Sequence, residues 1–574
     1  MEGTPAAVKV RSRSAGIVAA DVSRRILSAA KMAPTDVGGY LSEMLSAAVL
    51  FVRGKSSRLP GHTTTPRQAM KHALLLLTFL LGCLNLSGAT ASAPVKRPNI
   101  LFLMDDQHRG DWLGAAGAKW LITPSLDRLA REGVLFRRGY TSSPSCLPAR
   151  AALLTGMSPW GHGSLGFVPI PERFVCEMPR TFTDAGWRTC AIGKNHFSPP
   201  RNPHGYQTVI LGEPNIRDLP EVCDYRAWFD QKAPGHHPFE GFRSGNDQRG
   251  GIWYPLDEEL HESRWVADQA VQFLKSHKEE KPWFLKVSFL YPHTPLNPPK
   301  RWHDRYQEVE IPPAAIGDWA RQEYGSLQTS FAKHAEATRG VVPEDELRAT
   351  RRSYAAAISY VDEQVGRILA ALEERGELEN TLILFTADHG DMMGDHLLYR
   401  KTFPYEGSVN VPMIVRWPAS LGLEVKRGQV RQELAELRDV FPTCLDAAGL
   451  PRPTSVEGMS LLDILRGKPG RKMLDLEHAS CYAPKDGWVA LMDERYKYIY
   501  FEHTGQQQLF DLSRDPQELN NLAAKPAEAK LVKQWRQKMI THLSIRGEPW
   551  VQDGDLAVQT TPVRHRANNP NVIH

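Results

Sequence analysis

Two hydropathy patterns recur along this chain: short unbroken apolar runs, and longer stretches with apolar residues at helical spacing. The run Ile100–Met104, entered from Pro98-Asn99, reads as a buried strand that ends in Asp105-Asp106-Gln107. Thr381–Ala387 reads the same way and ends in Asp388-His389-Gly390-Asp391. Ahead of it, Ile358, Val361, Val365, Ile368 and Leu372 share one helical face, and Gly376 stands where such a helix closes. Helix followed by strand predicts a parallel sheet, and the C-terminal ends of parallel strands are where open α/β folds hold ligands. Pro412–Pro418 predicts a further core strand, and Asp439–Ala448 a helix ended by Gly449. Pro451–Pro469, rich in Pro, Gly and Ser, reads as a bridge to a C-terminal unit. There, Trp488–Met492 and Tyr496–Phe501 predict a hairpin, Gln508–Leu512 a third strand and Ala527–Leu543 a helix. The stretch from Glu548 has little pattern and reads as a wrapping tail.

Length and charge narrow the picture. The chain has 574 residues, 42% of them hydrophobic, enough for one large core and a smaller domain. Its net charge of +5 divides into +7 over residues 1–93 and −2 over the rest, so the bulk of the chain gives no basis for nucleic-acid binding. Met70-Lys71-His72, the apolar Ala73–Leu81 and Ala91-Ser92-Ala93 form a secretory signal pattern, with an apolar run too short for an ordinary membrane span. Translation from Met70, with residues 1–69 a non-native extension, is the simplest explanation; a genuine flexible N-terminal region is the alternative. Leu80-Leu81-Gly82-Cys83 resembles a lipobox that would make Cys83 a lipid anchor, and it ranks below ordinary cleavage. The expected organisation is an extension over 1–69, a signal over 70–93, a catalytic domain over 94–450, and a linker with a C-terminal α+β unit over 451–574. A periplasmic or secreted bacterial protein fits, since no Asn-x-Ser/Thr follows residue 93. Cys176, Cys190, Cys223, Cys444 and Cys481 leave room for one or two disulfides.

The candidate chemistry centres on Cys146-Leu147-Pro148-Ala149-Arg150, which runs through Ala151 to Thr155-Gly156. Pro148 is tolerated in a first helical turn and the following residues are good helix formers, so Cys146 is expected at a helix N-terminus, where an anion is favoured. Taken alone, this is also what a buried thiol beside a surface arginine looks like. Other segments join it in a fixed order: Asp105-Asp106 before it, then Gly193-Lys194-Asn195-His196, Tyr291-Pro292-His293-Thr294-Pro295, Asp388-His389 and Lys401. Each has a plain alternative, such as a solvated turn for Asp-Asp or a loop position for a lone His or Lys. Asp105, Asp106, Asp388 and His389 together suit a divalent ion.

The whole series resembles the type I sulfatases, in the same order and at similar intervals, from about Pro98 to the C-terminal region. The resemblance implies an alkaline-phosphatase-like α/β fold: a large, mostly parallel central sheet flanked by helices, closed by a small antiparallel sheet and helix. Asp515-Pro516-Gln517-Glu518-Leu519-Asn520-Asn521-Leu522 resembles the turn that the family carries in that closing unit. It implies oxidation of Cys146 to formylglycine (3-oxoalanine) by a formylglycine-generating enzyme, and a Ca²⁺ ion on Asp105, Asp106, Asp388 and His389, with Mg²⁺ or Mn²⁺ as alternatives. A hydroxyl of the hydrated aldehyde would attack sulfur, and the second would expel sulfate. In this scheme Arg150 holds the hydrate, Lys194, His293 and Lys401 neutralise sulfate, and His196 takes the final proton. The expected substrate is a sulfated glycan or aryl sulfate. A phosphonate monoester or phosphodiester hydrolase, and an inactive glycan-binding homologue, are the competing expectations.

Overall fold

In the computed structural model of the protein, residues 97–573 are described apart from residues 217 and 481; the N-terminal extension, signal, lipobox and Cys481 lie outside the described residues. In chain order the principal strands are Asn99–Asp106 (β1), Val134–Phe136 (β2), Gly139–Tyr140 (β3), Arg188–Gly193 (β4), Thr208–Leu211 (β5), Trp283–Pro292 (β6), Thr381–Ala387 (β7), Met413–Arg416 (β8), Gln429–Arg431 (β9), Ala435–Glu436 (β10), Leu474–His478 (β11), Trp488–Met492 (β12), Tyr496–Phe501 (β13) and Gln507–Asp511 (β14). The principal helices are Pro124–Glu132 (α1), Cys146–Thr155 (α2), Glu262–Ser276 (α3), Glu344–Glu374 (α4), Val440–Ala448 (α5) and Ala529–Leu543 (α6).

The continuous apolar runs become central strands because both of their faces are covered. The main sheet has the order β5-β4-β6-β1-β7-β8-β2-β9, with β3 and β10 forming a separate pair. Neighbours from β5 to β7 are parallel. The strand expected at Pro412–Pro418 is β8, and it runs antiparallel to both β7 and β2, which makes the sheet mixed. Along β1, Ile100, Phe102 and Met104 enter the core shared with α2 and α5, while Leu101 and Leu103 enter the core shared with α1, α3 and α4. Val361, Val365, Ile368 and Leu372 of α4 are buried in the second of these cores, and Gly376 follows the helix end with φ +66°.

The C-terminal sheet β11-β12-β13-β14 is antiparallel throughout. Val532, Trp535, Met539 and Leu543 of α6 pack on its Leu491 and Tyr498. The structure adds to the expectations at three points. Within Pro451–Pro469, Val456, Leu461, Leu462, Ile464 and Leu465 are buried in the core beneath α2, because that segment carries enough apolar side chains to pack. The C-terminal sheet has a fourth strand, β11, whose alternating Leu474-Asp475-Leu476 is too short a signal to stand out. The room left for one or two disulfides is unused among the described residues, where Cys146, Cys176, Cys190, Cys223 and Cys444 are all free. The tail does wrap: the N–H groups of Leu165 and Val175 donate to the carbonyls of Arg564 and Asn571. No helix among the described residues is long and apolar enough to cross a membrane.

Candidate active site

Four adjacent parallel strands end at the same edge of the sheet. β1 ends in Asp105-Asp106, β7 runs into Asp388-His389, β4 into Lys194 and β6 into His293. Sheet register therefore assembles residues that lie up to 284 positions apart, with Asp105 beside Ala387 and Asp106 beside Pro292. Gly193 makes the turn into Lys194 at φ +90°, and a Cβ there would stand 2.0 Å from the Ser288 carbonyl, so only glycine fits. Cys146 opens α2, as expected, and all ten residues of that helix are buried.

The thiol of Cys146 is the convergence point. Its Sγ lies 3.3 Å from His389 Nε2, 3.1 Å from Lys401 Nζ, 3.8 Å from Asp106 Oδ1 and 3.9 Å from Lys194 Nζ. Lys194 Nζ is paired with Asp106 Oδ2 at 2.6 Å. Arg150 does not offer an open guanidinium. Its Nε donates to Asp388 Oδ2, its Nη2 to Asp106 Oδ2, and its Nη1 to the Lys194 carbonyl and Ser288 Oγ.

His389 is oriented as metal-bound imidazoles are, with Nδ1 donating to the Gly390 carbonyl at 3.0 Å and Nε2 turned to the carboxylates. Ligand atoms of Asp106, Asp388, His389 and Cys146 lie within 4.8 Å of one another. Asp105 stands apart from that group. As its neighbour Asp106 shares the α2 face, alternation sends Asp105 to the other, where its Oδ2 meets His108 Nδ1 at 2.7 Å. Its Oδ1 is buried without a hydrogen-bond partner. Buried carboxylates with an orphaned oxygen, beside an imidazole of fixed tautomer, fit a hard divalent ion.

A cleft of about 930 Å³ opens above Cys146, lined in part by Lys194, His196, His293 and Lys401. His293 Nδ1 donates to the Thr294 carbonyl at 2.7 Å. His196 has a buried Nδ1 without a partner, while its backbone N–H donates to Glu213 Oε1.

The Sulfatase family profile matches residues 98–450. The chain belongs to the sulfatase family. A second profile, for the C-terminal region of N-sulphoglucosamine sulphohydrolase, matches residues 394–544. The sulfatase is 36% identical to an arylsulfatase of Clostridium perfringens over 483 residues, covering 81% of this chain and 98% of that one. It is 30% identical to a choline-sulfatase of Rhizobium meliloti over 439 residues, covering 75% and 83% of the two chains. Among solved structures, the phosphonate monoester hydrolase of Agrobacterium radiobacter superposes with a TM-score of 0.65 at 27% identity, covering 82% of this chain and all of the other. The sulfatase is accordingly a sulfuric ester hydrolase.

The electrostatics of the sulfatase are set by burial and by charges a few ångströms apart. Burial and Asp106 alone would raise the Cys146 thiol, but Lys194, Lys401 and His389 outweigh them and bring it down to about 5. Burial likewise opposes ionisation of Asp106, yet Lys194, Lys401 and Arg150 hold it well below the usual carboxylate range. Asp388 is raised by burial and by Asp106. Burial and Lys194 push His196 down to about 3, and burial with Lys401 and Lys194 holds His293 well below its ordinary value, so both imidazoles are neutral at pH 7.

Several partners escape sequence reasoning. Gln107 bridges the site, donating to Asp391 Oδ2 at 2.6 Å and accepting from Lys401 Nζ at 3.1 Å. His478 at the end of β11 meets Ser145 Oγ at 2.7 Å, which ties the C-terminal sheet to the residue before Cys146. No spacing rule marks these residues, since each acts across a fold contact.

Proposed function

We propose that this sulfatase hydrolyses a sulfate ester to an alcohol and inorganic sulfate with formylglycine made from Cys146, and that Asp106, Asp388 and His389, joined by Asp105 through its unpartnered Oδ1, hold a divalent ion, Ca²⁺ foremost. The observation that carries this reading is the convergence of two ammonium groups and an imidazole on Cys146 Sγ at the N-terminus of α2. The aldehyde would supply, as its hydrate, one hydroxyl to attack sulfur and a second whose deprotonation expels sulfate. The ion would supply charge neutralisation and Lewis acidity.

The chain's own side chains do the rest. Lys194 and Lys401 offer preorganised positive charge to the sulfate. Asp388, made more basic by burial and Asp106, takes the proton of the attacking hydroxyl. His293 stands with its Nδ1 spent on Thr294, so Nε2 serves the leaving oxygen, and an arriving sulfate charge favours the imidazolium that protonates it. Neutral His196, with an unspent Nδ1, accepts the proton released as sulfate departs. Arg150 holds Asp106 and Asp388 in register. Maturation of Cys146 requires a formylglycine-generating enzyme, and the signal pattern over residues 70–93 assigns the enzyme to the periplasm or the exterior.

The substrate is a sulfated carbohydrate or aryl sulfate, in keeping with the named activity of the Clostridium perfringens relative. The test is the mass of the tryptic peptide Gly139–Arg150 after co-expression with a formylglycine-generating enzyme, followed by turnover of 4-nitrophenyl sulfate. An unmodified thiol, from cells that modify a control sulfatase, overturns the mechanism. The likeness to the Agrobacterium radiobacter phosphonate monoester hydrolase supports a second reading, tested by comparing rates on an aryl sulfate and an aryl phosphonate.

A further inference from the structure

Arg400 immediately precedes Lys401 and lines the cleft with Asn246, Glu336 and Tyr482, yet nothing in the reaction uses it. Its backbone N–H is fixed on Asp391 Oδ1 at 3.0 Å. Its guanidinium lies 5.4 Å from the centre of the Tyr482 ring, and Nη2 donates to Asn246 Oδ1 at 2.7 Å. The residue is 6% exposed, and its Nε–H is buried with no hydrogen-bond partner. Leaving such a donor unmade is costly, and it marks a place where a ligand completes the pattern.

The neighbouring charges are already engaged. Lys194 is paired with Asp106, and Lys401 meets Gln107 and Cys146. Asp391 takes the backbone N–H of Arg400, and Glu336 faces the guanidinium, but Oε2 stays 3.6 Å from Nη1, beyond hydrogen-bond length, and Oε1 accepts from Ser244 Oγ at 2.6 Å. With its side chain 47% exposed, Glu336 offsets the guanidinium only weakly. A planar cation with unspent N–H groups, inside a cleft, binds carboxylate or sulfate through paired hydrogen bonds.

We propose that Arg400 selects sulfate esters whose alcohol carries a second anionic group, a carboxylate or another sulfate, bound by the guanidinium beside Asn246 and Tyr482. This rests on the reading of the cleft as a sulfate ester site and adds the class of leaving group that it takes.

The experiment uses the full enzyme matured with a formylglycine-generating enzyme. It compares kcat/KM for phenyl sulfate, 3-carboxyphenyl sulfate and 1,3-phenylene disulfate by released sulfate. Wild type is expected to favour one or both anionic esters over phenyl sulfate by roughly tenfold or more, the scale of one charge-assisted hydrogen bond. Preference for the carboxylated ester alone identifies a carboxylate, for the disulfate alone a sulfate, and for both a site that reads charge. Arg400→Gln should bring the ratio toward one, Arg400→Lys should keep part of it, and Glu336→Gln should raise it. No preference in wild type, or a preference retained in Arg400→Gln, overturns the proposal. If Arg400→Gln does not fold, an unchanged or lower ratio in Glu336→Gln overturns it. Failure to hydrolyse all three esters, with Cys146 fully modified, defeats the sulfate ester reading itself and this proposal with it.

Discussion

Lys401 Nζ stands 3.1 Å from Cys146 Sγ and 3.1 Å from Gln107 Oε1, so one ammonium group joins the loop after β7 to the nucleophile position and to the end of β1. In the proposed mechanism, charge fixed at that point would act on the sulfate and not on folding. Lys401→Ala should lower kcat on 4-nitrophenyl sulfate by about 10²–10³-fold, the scale of losing one preorganised donor, with the melting temperature nearly unchanged. Cys146→Ala should abolish turnover and also keep the fold. Near-normal rates for either variant would overturn the assigned roles.

Arg150 is a different case, because its guanidinium sits between two buried carboxylates, 3.0 Å from Asp106 and 2.9 Å from Asp388. Removing it leaves both without their shared counter-charge. Arg150→Ala should cost about 3–5 kcal/mol, seen as a lower denaturation midpoint, along with loss of activity. Arg150→Lys should recover little, since a single ammonium cannot span both carboxylates and the Lys194 carbonyl.

Metal removal should register in stability as well as in rate. Asp105, Asp106 and Asp388 are fully buried; Asp105 is raised by burial and by the charges of Asp388 and Asp106, and Asp388 by burial and by Asp106. Treatment with a chelator should lower the melting temperature and abolish turnover, and returning the preferred ion at a hundred times its Kd should restore about 2.7 kcal/mol. Comparing Ca²⁺, Mg²⁺ and Mn²⁺ by the size of that shift ranks the ions. An identical melting curve with and without chelator counts against a bound ion.

Away from the site, Asp362 of α4 accepts the backbone N–H groups of Ser125 and Leu126 at the start of α1, yet burial raises its carboxyl to about 7. The folded chain therefore keeps a proton there that the unfolded chain releases near 3.8. Stability from this group is fully present below about pH 4 and is lost as pH rises to about 7, by at most about 4 kcal/mol. Denaturation midpoints at pH 5 and pH 8 should converge in Asp362→Asn. An unaltered difference in that variant would assign the slope to other groups.

Much of the site was legible along the chain because its parts are local. Ile100–Met104 and Thr381–Ala387 are apolar on both faces, so each predicts a covered strand, and the acids that follow must sit at strand ends. Cys146 before Pro148 and an alanine-rich run predicts a helix start, and Cys146 is the first residue of α2. Motif order did the rest, bringing Lys194, His293 and Lys401 into the same proposal as the carboxylates.

What only the tertiary structure decided are relations between segments that share no local signal. The reversal of β8, the free state of the described cysteines and the burial of Val456, Leu461, Leu462, Ile464 and Leu465 depend on which surfaces meet. The pairing of Asp105 with His108 follows from the face on which the strand presents it, although Asp105 and Asp106 look alike in sequence. Along the chain Arg150 is expected on the aldehyde hydrate, and in the structure its guanidinium is engaged by two carboxylates brought from 44 and 238 residues away. Hydropathy periodicity reports which face of an element is covered; it carries no record of what covers it, and the chemistry of a buried charge depends on that neighbour.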